Sequence, residues 1–341
     1  MQHPRYVRDS MNRVSKRLLR PVSFYAGVPL LKCLRRRATG RTAIFILMYH
    51  RVDSRWKPFA EPPVRPKDFE KQVQFLKKHF AILDLTELAQ LKDRPRKDVV
   101  VLTFDDGYRD NYTHVYPVLK ECKVPATIFL ATDYIGTDRL FWYDQVSWAL
   151  HNASRSPDFG ALLDGGTPVD IVEELRSFFG SPGTSEDTVA SLVIKLKALP
   201  EVTRTAVIEK VTELCGVKNR PTGEDRAMLD WGEVREMAKN GVSFGSHTKS
   251  HPKLSAIPVD QARAEIVGSK SMIENEIQKP VTTFAYPYGK TEDYSDEIVN
   301  ILSVEGFELA CSTNGGAESH PLVKPLELRR RGAPPSSYIF L

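Results

Sequence analysis

Val99-Val100-Val101-Leu102-Thr103-Phe104-Asp105-Asp106-Gly107-Tyr108 runs from β-branched and apolar residues into two adjacent carboxylates and a glycine. The apolar part predicts a buried parallel strand. Neighbouring side chains on a strand point to opposite faces. Asp105 and Asp106 can therefore serve one site only if the strand stops and the chain bends there, which Gly107 permits. The pair would then sit just past the carboxyl end of a strand, where α/β folds place their chemistry. Two carboxylates so close resist ionising together unless a cation is present. The stretch predicts a metal site, with further ligands to be found elsewhere.

Outward from this strand, strands and helices alternate. On the N-terminal side, Ala43-Ile44-Phe45-Ile46-Leu47-Met48 predicts another buried strand, leading into Tyr49-His50-Arg51-Val52. A proline-rich loop follows, then helical spacing over residues 68–79, a short strand over 81–85 and a helix from Thr86. On the C-terminal side a helix is predicted over 112–122 and a strand over 126–131. From about Phe141 to Val217 only helical stretches appear, over 143–151, 169–179, 185–199 and 203–215, punctuated by Gly165-Gly166 and Ser181-Pro182-Gly183. This region reads as an insertion. Alternation resumes at Asp230-Trp231-Gly232-Glu233, which has the spacing of a capping box. Strands are predicted over 242–245, 282–285, 307–312 and 326–329, with helices over 258–279 and 294–304. About eight strands with intervening helices predict a distorted (β/α) barrel over residues 42–341 with a helical insertion at about 141–217.

The chain has 341 residues, 41% of them hydrophobic, enough for one large α/β domain. No window approaches the roughly 18 apolar residues of a membrane span. The formal charge of +5 conceals an asymmetry: residues 1–41 hold eleven basic side chains against Asp9 alone, leaving 37 basic and 42 acidic residues in the body. A nucleic-acid protein would carry its basic charge on the folded body. The arm reads instead as a peripheral contact with anionic lipid at the inner membrane face, or as a solvated tail. Pro29 and the basic run from Lys32 to Arg37 argue against a signal peptide. The four cysteines (Cys33, Cys122, Cys215 and Cys311) are dispersed, with no C-x-x-C. Free thiols and no leader predict a cytoplasmic protein.

The further ligands lie in Ser246-His247-Thr248-Lys249-Ser250-His251-Pro252, which follows a predicted strand. Two histidines four residues apart, one helical turn, can aim their nitrogens at one ion. One carboxylate (Asp106) and two imidazoles (His247, His251) leave positions open, which means catalysis rather than structure. Zinc is the default for these donors, with cobalt or nickel also fitting. Asp105, beside the ion but not ligating it, is placed to act as general base, and a histidine is expected to be the acid.

Thr103-Phe104-Asp105-Asp106-Gly107, the His247 to His251 segment and Phe284-Ala285-Tyr286-Pro287-Tyr288-Gly289 together resemble the first three motifs of the polysaccharide deacetylases, carbohydrate esterase family four, whose shared unit is the NodB homology domain. The resemblance implies a distorted (β/α) barrel and removal of N-acetyl groups from amino sugars of an N-acetylated glycan. It implies Asp105 as base and Asp106, His247 and His251 as ligands. It also implies substrate contacts at Tyr286, Pro287 and Tyr288, with the Tyr288 backbone N–H binding the oxyanion. Two departures stand out. The arginine that many members carry in the third motif is Ala285 here, and no Leu-x-His supplies an acid near the C-terminus. The variant resembles the poly-N-acetylglucosamine deacetylases, in which a histidine after an N-terminal strand supplies the acid; His50 fits that role. Arg329, Arg330 and Arg331 could supply a cation near Asp105 or form a solvated basic turn. His320 reads as a surface loop residue. Trp142, Tyr143 and Trp148 read as core, or as platforms for sugar rings. The resulting expectation is a metal-dependent N-deacetylase of a polysaccharide, oligosaccharide or glycan precursor. The alternatives are a deacylase of a lipid-linked saccharide, with acetyl or formyl as the acyl group, and a catalytically silent glycan-binding module.

Overall fold

In a computed structural model of the chain, residues 42–54, 63–154, 156–180, 186–217, 222–223 and 226–334 are described. The basic arm, with its expected membrane contact, lies outside them. Among the described residues no helix is long and apolar enough to cross a membrane.

The strands are β1 (Ala43–Tyr49), β2 (Ala81–Leu83), β3 (Val99–Phe104), β4 (Ala126–Leu130), β5 (Val242–Ser246), β6 (Thr283–Ala285), β7 (Leu309–Cys311), β8 (Glu318–Ser319) and β9 (Arg330–Gly332). They form one sheet in the order β7-β6-β5-β4-β3-β1-β8, with β2 on β3 and β9 on β1. Among the strands of the described residues, β1 pairs antiparallel with β8 and the other pairs run parallel. A parallel bridge from Cys311 to Leu328 carries β7 toward β9, and β9 pairs with β1, so the sheet curls into a barrel. Its distortion has a local source. β2 covers only Val99 to Val101 of β3, and β4 takes over at Thr103 and Phe104. The expected α/β architecture is present.

Period-2 alternation divides the core. Ile44 and Ile46 of β1, Val99 and Val101 of β3, Phe129, Ala285, Leu309 and Leu328 form the interior cluster. Phe45, Leu47, Val100 and Leu102 face the other way, with Phe69, Val73 and Leu76 of α1 (Pro66–His79). Leu85 and Leu88 of α2 (Leu85–Ala89) join the interior set. The outer layer continues with α3 (Tyr116–Cys122).

The insertion consists of α4 (Trp142–His151), α5 (Phe159–Asp164), α6 (Val169–Gly180), α7 (Glu186–Lys197) and α8 (Glu201–Leu214). It buries an apolar cluster of its own, including Val146, Leu150, Leu162, Leu175, Leu192 and Val207. Beyond it come α9 (Trp231–Lys239), α10 (Val259–Ile277) and α11 (Asp296–Val304). The capping box at Asp230 and Glu233 forms as its spacing predicted, with both reciprocal bonds made.

Two local expectations need correction, and one helix carries no signal in the sequence. The helix expected from residue 112 opens with a π turn over Asn111–Val115 before α3. The last strand lies at Arg330–Gly332 rather than 326–329, because Pro325–Glu327 winds into a 3-10 turn and pairing with Ile46 to Met48 begins only at Arg330. Helix α5 was too short to show periodicity. It is started by Asp158, whose carboxylate accepts from the Gly160 and Ala161 N–H groups.

Candidate active site

The interior face, followed to the C-terminal ends of the strands, passes from apolar to ionisable side chains. On β3 the inward series Val99, Val101, Thr103 continues to Asp105. On β1 the series Ile44, Ile46, Met48 continues to His50, and the register that pairs Tyr49 with Phe104 brings His50 beside Asp105. On β5 the inward positions Ser243 and Gly245 lead to His247. Gly245 is required there: a Cβ would come within 2.6 Å of the Phe129 ring. On β9 the pairing of Arg330 with Ile46 turns Arg330 inward.

Asp105 is 2% exposed and Arg330 1%. The guanidinium donates to both carboxylate oxygens, Nη1 to Oδ1 and Nη2 to Oδ2, each at 2.7 Å. Its Nε donates to the Ser312 carbonyl at 3.0 Å. Burial alone would raise the Asp105 pKa, but the charge of Arg330, helped by its hydrogen bonds, outweighs it and holds the carboxyl down at about 2. The cation that the third motif lacks at Ala285 is therefore supplied from β9. The neighbouring arginines point outward, Arg329 to Glu318 and Arg331 over the Phe45 ring. His50 Nε2 lies 4.0 Å from Asp105 Oδ2 and is partly exposed. Its carbonyl accepts from Asn111 Nδ2, and the next segment is held by Asp110, which takes Arg51 Nε and the Val52 N–H.

Asp106 would face outward on an unbroken strand. It has φ 76°, Gly107 follows at φ 81°, and the chain turns so that both carboxylates meet the same space. A Cβ on Gly107 would come within 2.8 Å of Leu130 and Ile135 side-chain carbons. Asp106 Oδ1 stands 3.5 Å from His247 Nε2 and 3.5 Å from His251 Nε2, and Oδ2 accepts from the Tyr143 hydroxyl at 3.1 Å.

His247 and His251 converge by a different route from the helical turn expected. Residues 247–252 form a loop in which Thr248 and His251 have φ of 66° and 60°. Glu265 of α10 fastens it, accepting from the Lys249 and Ser250 N–H groups at 2.8 Å each and from the Ser250 hydroxyl at 2.7 Å. His247 Nδ1 lies 2.7 Å from the Ala285 carbonyl. A carbonyl can only accept, so Nδ1 carries the proton and Nε2 turns a lone pair toward Asp106. Burial lowers the His247 pKa to about 4 and pushes His251 well below its ordinary value. Both rings are thus neutral, the form that binds metals.

This donor set fits a divalent ion. The ligand atoms of Asp106, His247 and His251 lie within 4.8 Å of one another. Donors about 2.0–2.1 Å from one tetrahedral ion would stand roughly 3.4 Å apart, close to the carboxylate–imidazole separations here and too long for hydrogen bonds.

In the third motif, Tyr288 has φ 61°, its ring centroid is 5.1 Å from that of His251, and no described residue accepts from its N–H. Gly289 follows because a Cβ there would meet the Thr313 backbone N at 2.9 Å. Pro287 is buried. The side chain of Tyr286 lies outside the site, contrary to the expected substrate contact. Its ring stacks on Tyr294 at 3.9 Å and its hydroxyl donates to the Leu326 carbonyl, because alternation on β6 sends it into the outer core. His320 contacts the Leu91 carbonyl instead of the site. Trp142 and Tyr143, expected to be core aromatics or platforms for sugar rings, both reach the site, Trp142 by donating to the Tyr288 hydroxyl at 3.0 Å.

A sequence profile of a family described as polysaccharide deacetylase matches residues 92–164 and 202–309, just over half of the chain. The putative polysaccharide deacetylase YxkH of Bacillus subtilis is 23% identical over 80% of this chain and 66% of its own length. The poly-beta-1,6-N-acetyl-D-glucosamine N-deacetylase of Staphylococcus aureus is 36% identical over 25% of this chain and 30% of its own length. The chain thus spans just under two thirds of one relative and less than a third of the other. Among solved structures, the Streptococcus pyogenes deacetylase PplD in complex with acetate superposes with a TM-score of 0.55 at 22% identity, covering 86% of this chain and 94% of that one. IcaB from Ammonifex degensii gives 0.53 at 16%, covering 86% and 93%. At these identities the two share the fold.

Proposed function

Because this chain belongs to the polysaccharide deacetylase family, we propose that it hydrolyses the N-acetyl group from N-acetylhexosamine units of a glycan, with Asp105 as general base and His50 as general acid. The observation that carries the reading is the division of labour between adjacent aspartates: Asp105 is bound by Arg330 and Asp106 faces two neutral imidazoles.

Asp106, His247 and His251 would hold a divalent ion, zinc being the default and cobalt or nickel also compatible. When bound, such an ion acidifies a water and polarises the acyl carbonyl, and a carboxylate held at about 2 needs a proton donor so acidified. Arg330 keeps Asp105 ionised and fixes both of its oxygens. Asp105 takes the proton as the water oxygen bonds to the acyl carbon. The Tyr288 N–H donates to the oxygen on which negative charge develops. His50, beside Asp105, serves as the acid: its imidazolium form gives a proton to the departing nitrogen as the C–N bond breaks, leaving acetate and the amino sugar. Tyr143 orients Asp106, and the Ala285 carbonyl orients His247.

Asp105→Asn is the test. General-base removal is expected to lower acetate release from N-acetylglucosamine oligosaccharides by about 10²–10⁴-fold, with divalent-metal affinity retained. Wild-type rates in that variant would sink the assignment. The S. aureus relative's name points to poly-N-acetylglucosamine as the first glycan to try.

A further inference from the structure

The insertion brings two cations to the edge of this site. Lys197, the last residue of α7, holds its ammonium 4.6 Å from the Tyr288 ring centroid. Arg204, in the first turn of α8, holds its guanidinium 4.8 Å from the Trp142 ring centroid. The two rings are themselves joined by the Trp142–Tyr288 hydrogen bond, and Tyr288 leans on His251. Two positive groups from different helices therefore rest on one aromatic platform beside a candidate metal ligand.

Neither cation is neutralised by a carboxylate: among the described residues no ion pair involves Lys197 or Arg204, whereas Arg109, Arg226, Arg235 and Arg263 all have acidic partners. Glu201 is the acidic neighbour whose charge reaches Tyr288, and it remains exposed. Helix electrostatics do not account for Arg204, since the first turn of a helix disfavours positive charge. Stacking occupies the face of a guanidinium and leaves its N–H edge free to grip a planar or tetrahedral anion. Lys197 is exposed and Arg204 half-buried, so both remain accessible.

We propose that Lys197 and Arg204, mounted on Tyr288 and Trp142, form a subsite for an anionic group carried by the glycan next to the N-acetylated sugar, so that an anionic saccharide is bound in preference to a neutral one. The proposal rests on the deacetylase reading for the position of the acetylated sugar. The shared chemistry is a phosphate or a carboxylate. A neutral poly-N-acetylhexosamine would offer these cations no anionic partner.

Calorimetric titration of the full chain tests this with three probes: a neutral N-acetylglucosamine tetrasaccharide, the same chain bearing a phosphate monoester, and the same chain with a glucuronate beside one acetamido sugar. At low salt at least one anionic probe is expected to bind about tenfold or more tightly than the neutral one, with the preference shrinking at high salt. The tighter of the two anionic probes identifies the source of the charge. In Lys197→Gln/Arg204→Gln the preference is expected to fall to near parity while the neutral probe binds as before, with an unchanged melting temperature reporting an intact fold. Parity in the wild type, a preference that survives the double substitution, or no binding of any probe overturns the subsite. Acetate release assayed alongside separates the two readings. Anion-selective binding without acetate release removes the deacetylase reading alone, and equal turnover of all three probes without selective binding removes the subsite alone.

Discussion

Asp105 and Arg330 depend on each other. A carboxylate 2% exposed would ordinarily take up a proton, and a guanidinium 1% exposed would be a costly isolated charge. Together they form a bidentate pair whose other donors reach the Ser312 carbonyl and Thr103 Oγ1. Removing one partner strands the other. Arg330→Gln is expected to destabilise the fold by about 3–5 kcal/mol, read by denaturant unfolding. The same change removes the largest of the charges that oppose burial at Asp105, so its pKa rises from about 2. The pH profile of kcat/KM should then gain an acidic limb within the accessible range that the wild type lacks. Arg330→Lys should only partly restore the rate, because a lysine keeps the charge and loses the two-pronged grip.

At the scale of elements, the insertion does more than border the barrel. Its first helix, α4, begins with Trp142 and Tyr143, and both hydroxyl-linked contacts lead to the site: Tyr143 to Asp106, and Trp142 to Tyr288. The insertion thus contributes a support to the candidate metal ligands while its own apolar cluster keeps the helices together. Tyr143→Phe removes one hydroxyl and leaves the ring stacked on Phe141. We expect divalent-ion affinity to fall by about 10–100-fold, measured by titrating metal-free protein, with the far-UV circular dichroism unchanged. Affinity equal to wild type would reduce Tyr143 to a packing residue.

For the whole molecule, burying neutral imidazoles ties stability to pH. His247 has a folded pKa of about 4 against 6.5 for a free side chain, and His251 is lowered as well. Below about pH 6.5 the unfolded chain takes up protons that the folded chain refuses. The metal-free protein should therefore lose stability as pH falls from about 6.5 toward 4, by up to about 1.4 kcal/mol per pH unit for each histidine. Asp105 acts in a lower window: its contribution is present above about 3.8 and is lost as pH falls toward 2. Melting temperatures of chelator-treated protein across this range check the slope, and His247→Gln should flatten it.

By itself, the sequence determined the barrel class, the helical insertion, and the motifs bearing Asp105, Asp106, His247 and His251. These are local signals: apolar runs, a capping box, and a glycine after two carboxylates. The loop geometry of the histidine segment was out of reach, since i,i+4 spacing is shared by a helical turn and by a loop with two left-handed residues fastened by a distant glutamate. Three arginines in a row offered no way to choose among them. Only the pairing of Arg330 with Ile46, 284 positions earlier in the chain, turns that one residue inward. The same holds for His50 beside Asp105, for Tyr143 on Asp106, and for Tyr286, which alternation sends into the outer core. Two adjacent aspartates could be read as the start of a site because their spacing is covalent. Which cation keeps one ionised, and which ring steadies the other, was decided by strand register and helix docking, which bring together residues that no local pattern connects.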